Sequence, residues 1–303
     1  TIRDEGRHAM NRTLGLIGSI LGFFLFVCAA QAFEVSGLAT PESMIVDPDT
    51  GNYYISNING SPAEKDNNGF ITKLDRNGKV IALKFVEGGR GGVTLHAPKG
   101  LSNIGGMLYV TDIDAVRGFD KGSGKLLHDI DLKGMGALFL NDLTNDEEGN
   151  LYVSDTTVFV DPKAPGTIFK IETKNQHKAA ILVRDAALGP PNGLVIHPKT
   201  KLLLANTWGA GRIIEITHDG KIRTFAEDPA WKDLDGLDYD SMANLYISSF
   251  TGGIIYKISP NLKAETVKSG LTSPADINID RKGNMILVPS FNGNSAMTIP
   301  IGK

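Results

Sequence analysis

From residue 33 onward the chain alternates short apolar runs with polar breaks, and one unit of this pattern returns six times. In each unit a polar loop leads into an apolar strand, and a second strand follows that ends on a small polar side chain. The second strand is the clearest: Asn52–Asn57, Met107–Asp112, Asn150–Asp155, Lys201–Asn206, Asn244–Ser249 and Asn284–Ser290. These runs are short, rich in Val, Ile, Tyr and Leu, and bounded by Gly, Asn, Asp or Pro, which predicts strands and no helices.

Each unit reads as four strands. In the first they are Ser43–Asp47, Asn52–Asn57, Phe70–Leu74 and Val80–Phe85, with hairpin turns at Asp49-Thr50-Gly51-Asn52 and Arg76-Asn77-Gly78-Lys79. The loops ahead of the inner strands read Pro41-Glu42-Ser43, Pro98-Lys99-Gly100, Leu140-Asn141-Asp142, Pro191-Asn192-Gly193, Leu234-Asp235-Gly236 and Pro274-Ala275-Asp276. Their spacing of about 47 residues matches one four-stranded propeller blade. The prediction is an all-β, six-bladed β-propeller over residues 33–303. The sixth unit runs out of chain before a fourth strand, so Phe33–Ser36 is expected to supply the outer strand of the last blade and remove an open edge.

Residues 1–32 stand apart from this pattern. Asn11-Arg12 is a basic start, Leu14–Val27 is almost wholly apolar, and Ala30-Gln31-Ala32 fits a small-x-small cleavage site. The apolar run is shorter than the roughly 20 residues of a membrane span. The expectation is a secretory signal peptide starting at Met10 and cleaved after Ala32, with Thr1–Ala9 upstream of the natural start. Cys28, the only cysteine, is a candidate lipid-attachment site, although the Val27 before it is bulky. Export without disulfides points to a bacterial periplasm. The net charge of −3 and the lack of a dense Lys/Arg stripe argue against nucleic acid as a partner.

The loop residues in ring order are Glu42, Lys99, Asn141, Asn192, Asp235 and Ala275. In a propeller such positions meet at the mouth of the axial channel. Two carboxylates and two amides converging there make a hard-oxygen site suited to Ca²⁺ or a similar divalent cation; the competing reading is that Asn and Asp merely form turns. A second ring, Asn57, Asp112, Asp155, Asn206, Ser249 and Ser290, either lines the same face or caps strand ends. The polar insertion Asn59–Asn68 and the loop Trp208-Gly209-Ala210-Gly211-Arg212 are rim candidates, with Trp208 and Arg212 as substrate contacts.

The order Pro41-Glu42, Asn141-Asp142, Asn145 to Tyr152, Pro191-Asn192-Gly193-Leu194 with His197-Pro198, and Leu234-Asp235-Gly236-Leu237-Asp238 resembles the regucalcin/gluconolactonase family of six-bladed propellers, relatives of paraoxonases and strictosidine synthases. The resemblance implies a divalent metal (Ca²⁺, Zn²⁺ or Mn²⁺) on Glu42, Asn192 and Asp235, with Asn141 beside metal or substrate and Asp235 as the acid/base group. It implies a metal-dependent hydrolase opening a small lactone or ester. Two departures stand out: Pro41-Glu42-Ser43 in place of a glycine-containing motif, and Lys99. That lysine either binds an anionic substrate group or oxyanion, or neutralises Glu42 or Asp235 in place of a metal. The rival function is a non-catalytic propeller binding a small ligand or a protein partner.

Other motifs carry less. Gly122-Ser123-Gly124-Lys125 lacks the spacing of a phosphate loop. The histidines form no zinc pair, and His96 reads as a packing residue. No serine sits in a nucleophile elbow.

Overall fold

A computed structural model describes residues 31–302, together with Thr1. The apolar segment Leu14–Val27, Cys28 and the Ala30 position of the cleavage motif lie outside the described residues. Among the described residues no helix is long and apolar enough to cross a membrane.

Six four-stranded antiparallel sheets follow one another round a ring. The first blade comprises Pro41–Val46, Tyr53–Asn57, Phe70–Leu74 and Val80–Glu87. The next four repeat this order from inner strands Pro98–Ile104, Leu140–Asn145, Pro191–Ile196 and Leu234–Tyr239. The sixth is built from Asn278–Asp280, Met285–Ser290, Ser295–Pro300 and, from the other end of the chain, Glu34–Ser36. Val35 pairs with Ala296, and the Phe33 N–H donates to Thr298 Oγ1 at 3.0 Å. The expected closure by the N-terminal strand is therefore present.

The core lies between blades. Each inter-blade gap holds its own apolar cluster, such as Met44, Tyr53 and Ile55 of the first blade against Leu287 and Val35 of the last. The fourth strands are the most exposed of each blade, as in Val80–Glu87, where only Val86 is buried.

One local feature corrects the sequence reading. Glu42, Lys99, Asn141, Asn192 and Asp235 sit inside the inner strands, at their second position, while Ala275 lies ahead of Asn278–Asp280; the first strand begins earlier than read, at Pro41, not Ser43. In the first blade Pro41 pairs with Asn57 but Met44 pairs with Ile55, so Glu42 and Ser43 together oppose Ser56. This is a β-bulge, and the same shift recurs after Pro98, Leu140, Pro191 and Leu234. The doubled residue breaks period-2 alternation, which is why the sequence reads as loop there.

Candidate functional site

The bulges decide where the site residues point. Four of the five are clamped by the penultimate residue of the second strand. Ser43, Asp142 and Gly236 donate their backbone N–H to Ser56 Oγ (2.9 Å), Ser154 Oγ (3.0 Å) and Ser248 Oγ (2.8 Å). The Gly193 N–H donates to Asn206 Oδ1 at 2.9 Å. The same strand position also reaches the next blade: Thr111 Oγ1 donates to the Asn141 carbonyl (2.5 Å), Ser154 Oγ to that of Asn192 (2.6 Å) and Asn206 Nδ2 to that of Asp235 (2.7 Å). Neighbouring backbones come very close here. A Cβ on Gly236 would lie 2.0 Å from the Ile277 nitrogen, and one on Gly193 2.3 Å from the Asp235 carbonyl oxygen, so only glycine fits.

Glu42, Lys99, Asn141, Asn192 and Asp235 are all buried and line one cavity of about 360 Å³. The amides are oriented by their nitrogens. Asn141 Nδ2 donates to Thr156 Oγ1 at 3.1 Å and Asn192 Nδ2 to the Leu234 carbonyl at 3.4 Å. Their oxygens are left over. Glu42 Oε2, Asn141 Oδ1, Asn192 Oδ1 and Asp235 Oδ1 are buried without a hydrogen-bond partner. Buried polar atoms are normally satisfied, so four orphan oxygens from four blades at one cavity fit a hard cation. No group of three His, Cys, Asp or Glu side chains converges among the described residues; half of this oxygen set is amide.

The electrostatics agree. Burial pushes Glu42 well above the usual carboxylate range, and Asp235, Asp276 and Asp142 push it further, with Lys99 opposing. Asp235 is raised by burial and then by Asp276. Lys99 is only 1% exposed and falls to about 8, chiefly through burial, against the pull of Glu42, Asp112 and Asp155. Its Nζ donates to the Ala97 carbonyl at 3.1 Å and lies 4.4 Å from the Phe139 ring centroid. Lys99 makes no ion pair among the described residues, so it does not form a salt bridge with Glu42 or Asp235.

The second ring turns inward on the fold. Asp112 accepts the N–H groups of His96 (3.0 Å) and Ala97 (2.9 Å), and Asp155 those of Leu138 (3.1 Å) and Phe139 (2.7 Å). Asn57 accepts from Ala39 at 3.0 Å, while Ser249 and Ser290 each donate at 2.6 Å to the carbonyls of Lys232 and Thr272. These residues pin the loops entering the inner strands. Asn206 was placed one residue early: its blade ends the pairing at Thr207, and Asn206 is the bulge clamp.

Trp208 lines the cavity, as do Ser61, Pro62 and Ala63 from the Asn59–Asn68 insertion. Arg212 is not among the lining residues; it donates to the Ala187 carbonyl at 2.7 Å. His96 packs, accepting the Asn67 N–H at 3.0 Å. Sequence reasoning missed Phe139, Phe159, Phe250 and Phe291, all of which line the cavity. The signal was available for two of them: Phe250 and Phe291 directly follow Ser249 and Ser290, the ends of their second strands.

The fold and site thus define a six-bladed propeller with an oxygen-rich axial cavity. The family described as SMP-30/Gluconolactonase/LRE-like region matches residues 40–279, and the chain belongs to it, which supports a lactonase-type hydrolase at the level of the family. Among solved structures, the chain resembles the calcium-binding protein regucalcin from Agrobacterium tumefaciens strain C58, with 14% identity, 88% of this chain and 90% of that one covered, and a TM-score of 0.65. A putative gluconolactonase is similar at 14% identity, 89% and 92% coverage and a TM-score of 0.65. Virginiamycin B lyase from Staphylococcus aureus, in a catalytically inactive form with quinupristin, shares 16% identity over 89% of this chain and 99% of that one, with a TM-score of 0.59. At these identities the likeness is one of fold. No protein of curated function matches the chain.

Proposed function

We propose that this propeller is an exported, divalent-metal-dependent hydrolase of small lactones or esters. The observation that carries the reading is the set of four orphan oxygens on Glu42, Asn141, Asn192 and Asp235 beside an unpaired Lys99. Those four residues would hold one Ca²⁺, Zn²⁺ or Mn²⁺, which when bound supplies Lewis-acid polarisation of the substrate carbonyl.

The chain's own groups supply the rest. Asp235 accepts a proton at Oδ2, the carboxylate oxygen not assigned to the cation, from the water that adds to the carbonyl carbon. The carbonyl π bond opens and its oxygen takes the charge, which the Lys99 ammonium stabilises by donating a hydrogen bond. On collapse the acyl C–O bond breaks, and the leaving alkoxide takes the proton from Asp235, returning the carboxylate. Asn141 and Asn192, locked by their Nδ2 bonds, hold the substrate head in register.

The test is metal analysis of the purified protein together with hydrolysis of a lactone and ester panel. Bound divalent metal and turnover abolished by chelator and by Asp235→Ala support the reading; wild-type turnover in Asp235→Ala overturns the role of Asp235. Tight metal-independent ligand binding with no turnover would favour the non-catalytic propeller. Export rests on the basic start, apolar run and Ala30-Gln31-Ala32. Expression with residues 10–32 in place should give periplasmic protein beginning at Phe33.

A further inference from the structure

The walls of the cavity differ in chemistry from its floor. We propose that the site takes an amphiphilic ligand, an aryl or short-chain acyl lactone or ester, and not a polyhydroxylated sugar lactone. Its oxygen-bearing head meets the axial oxygens and Lys99; its apolar body lies against an aromatic collar. The proposal rests on the functional reading above only for the identity of that head group.

The collar is a repeated structural position. Immediately after the second strand, the blades carry Ile58, Ile113, Thr156, Trp208, Phe250 and Phe291 in ring order. Five of the six are apolar. In the third blade Thr156 is taken up by Asn141 and by the Pro191 carbonyl, and Phe159, one short turn later, takes the wall position. The aromatic members touch in sequence. Phe139 and Phe159 have ring centroids 5.0 Å apart, Phe159 and Trp208 5.3 Å, Trp208 and Phe250 5.4 Å, and Phe250 and Phe291 5.5 Å. One continuous aromatic arc thus spans the third to sixth blades.

The arc is held in place before any ligand arrives. The backbone N–H of Trp208 donates to Pro190 (2.9 Å), that of Phe250 to Asp233 (2.9 Å) and that of Phe291 to Ser273 (3.0 Å). Pro190 and Asp233 directly precede the inner strands that carry Asn192 and Asp235, so floor and wall are fixed to one another there. Phe159, at 45% exposure, keeps much of its ring toward solvent, and an uncovered aromatic surface at the rim of a polar pocket is a binding surface.

A sugar lactone fits this wall poorly. Each of its hydroxyls needs a partner once buried. Above the axial residues, the wall side chains with hydrogen-bonding groups are Ser61 and Trp208; the others are Phe, Ile, Pro and Ala. An aryl or alkyl body needs no such partner and covers the arc.

Trp208 supplies a binding signal that does not depend on turnover. The chain has two tryptophans, and Trp231 is buried in the core at 4% exposure. The full chain with added Ca²⁺ or Mn²⁺ is titrated with 3-(2-hydroxyphenyl)propanoate, the ring-opened product of dihydrocoumarin, and with gluconate. The parent lactones are assayed in parallel. Expected are a change in Trp208 fluorescence, binding of the aryl acid at least about tenfold tighter than gluconate, and a higher kcat/KM for dihydrocoumarin than for glucono-1,5-lactone. Phe159→Ala, at a half-open site that a truncation leaves folded, should weaken aryl-acid binding about fivefold with an unchanged Tm. Gluconate binding as tightly as the aryl acid, or Phe159→Ala binding it like wild type, overturns the proposal. Faster hydrolysis of gluconolactone than of dihydrocoumarin also overturns it while leaving the hydrolase reading intact. Collar-dependent binding with no hydrolysis of any lactone or ester supports the ligand class and removes the hydrolase.

Discussion

Replacing Asp235 with Asn should move thermal stability in opposite directions with and without metal. Four buried oxygens lack hydrogen-bond partners among the described residues. Each such group costs about 1–3 kcal/mol, so without a cation the set would carry a penalty of about 4–12 kcal/mol. Asp235 adds a charge that burial and Asp276 already disfavour, and it pushes Glu42 in the same direction. Asp235→Asn keeps the shape and removes that charge, so in chelator the variant should melt above wild type. A cation at a hundred times its Kd adds about 2.7 kcal/mol. At about 2–4 °C per kcal/mol for a chain of roughly this size, calcium should raise the wild-type Tm by about 5–11 °C. The variant offers one carboxylate in place of two, so its calcium shift should be much smaller and its Tm in calcium lower than that of wild type. Differential scanning fluorimetry in chelator and in millimolar Ca²⁺ reads both shifts. Equal calcium shifts in the two proteins, or a variant that melts lower in both buffers, would refute the cation assignment.

Lys99→Met should cut kcat by about 10²–10³-fold, the loss of one oxyanion donor, without lowering stability, because it removes a buried, unpaired ammonium; wild-type kcat would sink the role. Ser248→Ala leaves the Gly236 N–H and the Ala275 carbonyl without their 2.8 Å bonds. It should cost about 1–3 kcal/mol in urea denaturation, together with weakened metal binding through Asp235. Val35→Asp, at a 7% exposed position in the closing strand, should cost at least about 2 kcal/mol through lost apolar burial alone, and a midpoint within error of wild type would contradict the closure. Burial raises Asp276 from 3.8 to about 7, so the folded chain keeps a proton that the unfolded chain releases above about pH 4. Its contribution to stability therefore declines as pH rises through this window. Chelated protein should melt lower at pH 8 than at pH 5.5, and Asp276→Asn should flatten that slope.

The ring was legible because a blade is a local pattern. Tyr53–Asn57 and its counterparts alternate between two inter-blade clusters, and their turns need Gly, Asn or Asp wherever they occur. The axial residues were legible for a related reason: repetition placed Glu42, Asn141, Asn192 and Asp235 in one column. Their strand context was not legible, because the bulge puts two residues opposite Ser56 and its equivalents and so interrupts the alternation that marks a strand. The Asn206 clamp was hidden because Asn206 and Thr207 are both small and polar, so the strand end could be set at either. Arg212 looked like a rim residue from its loop, but whether a long side chain turns inward depends on partners such as the Ala187 carbonyl, far from it in sequence. The collar escaped because a lone Phe after a strand end carries no chemistry until four neighbours align with it.

The last blade also imposes an order on how this protein can be made. Phe33 bonds to Thr298 across 265 residues of chain, so the first described strand pairs with the last described one. Contacts of such long range form late and slowly. Five blades can assemble as they emerge, yet Glu34–Ser36 must wait, and until Ser295–Pro300 arrives the gap between first and last blades leaves Met44, Ile55 and Leu287 uncovered. A chain interrupted anywhere before its final strand cannot complete the circle and would present that apolar face to chaperones and proteases. Closure thus acts as a check that every strand of the ring has been made.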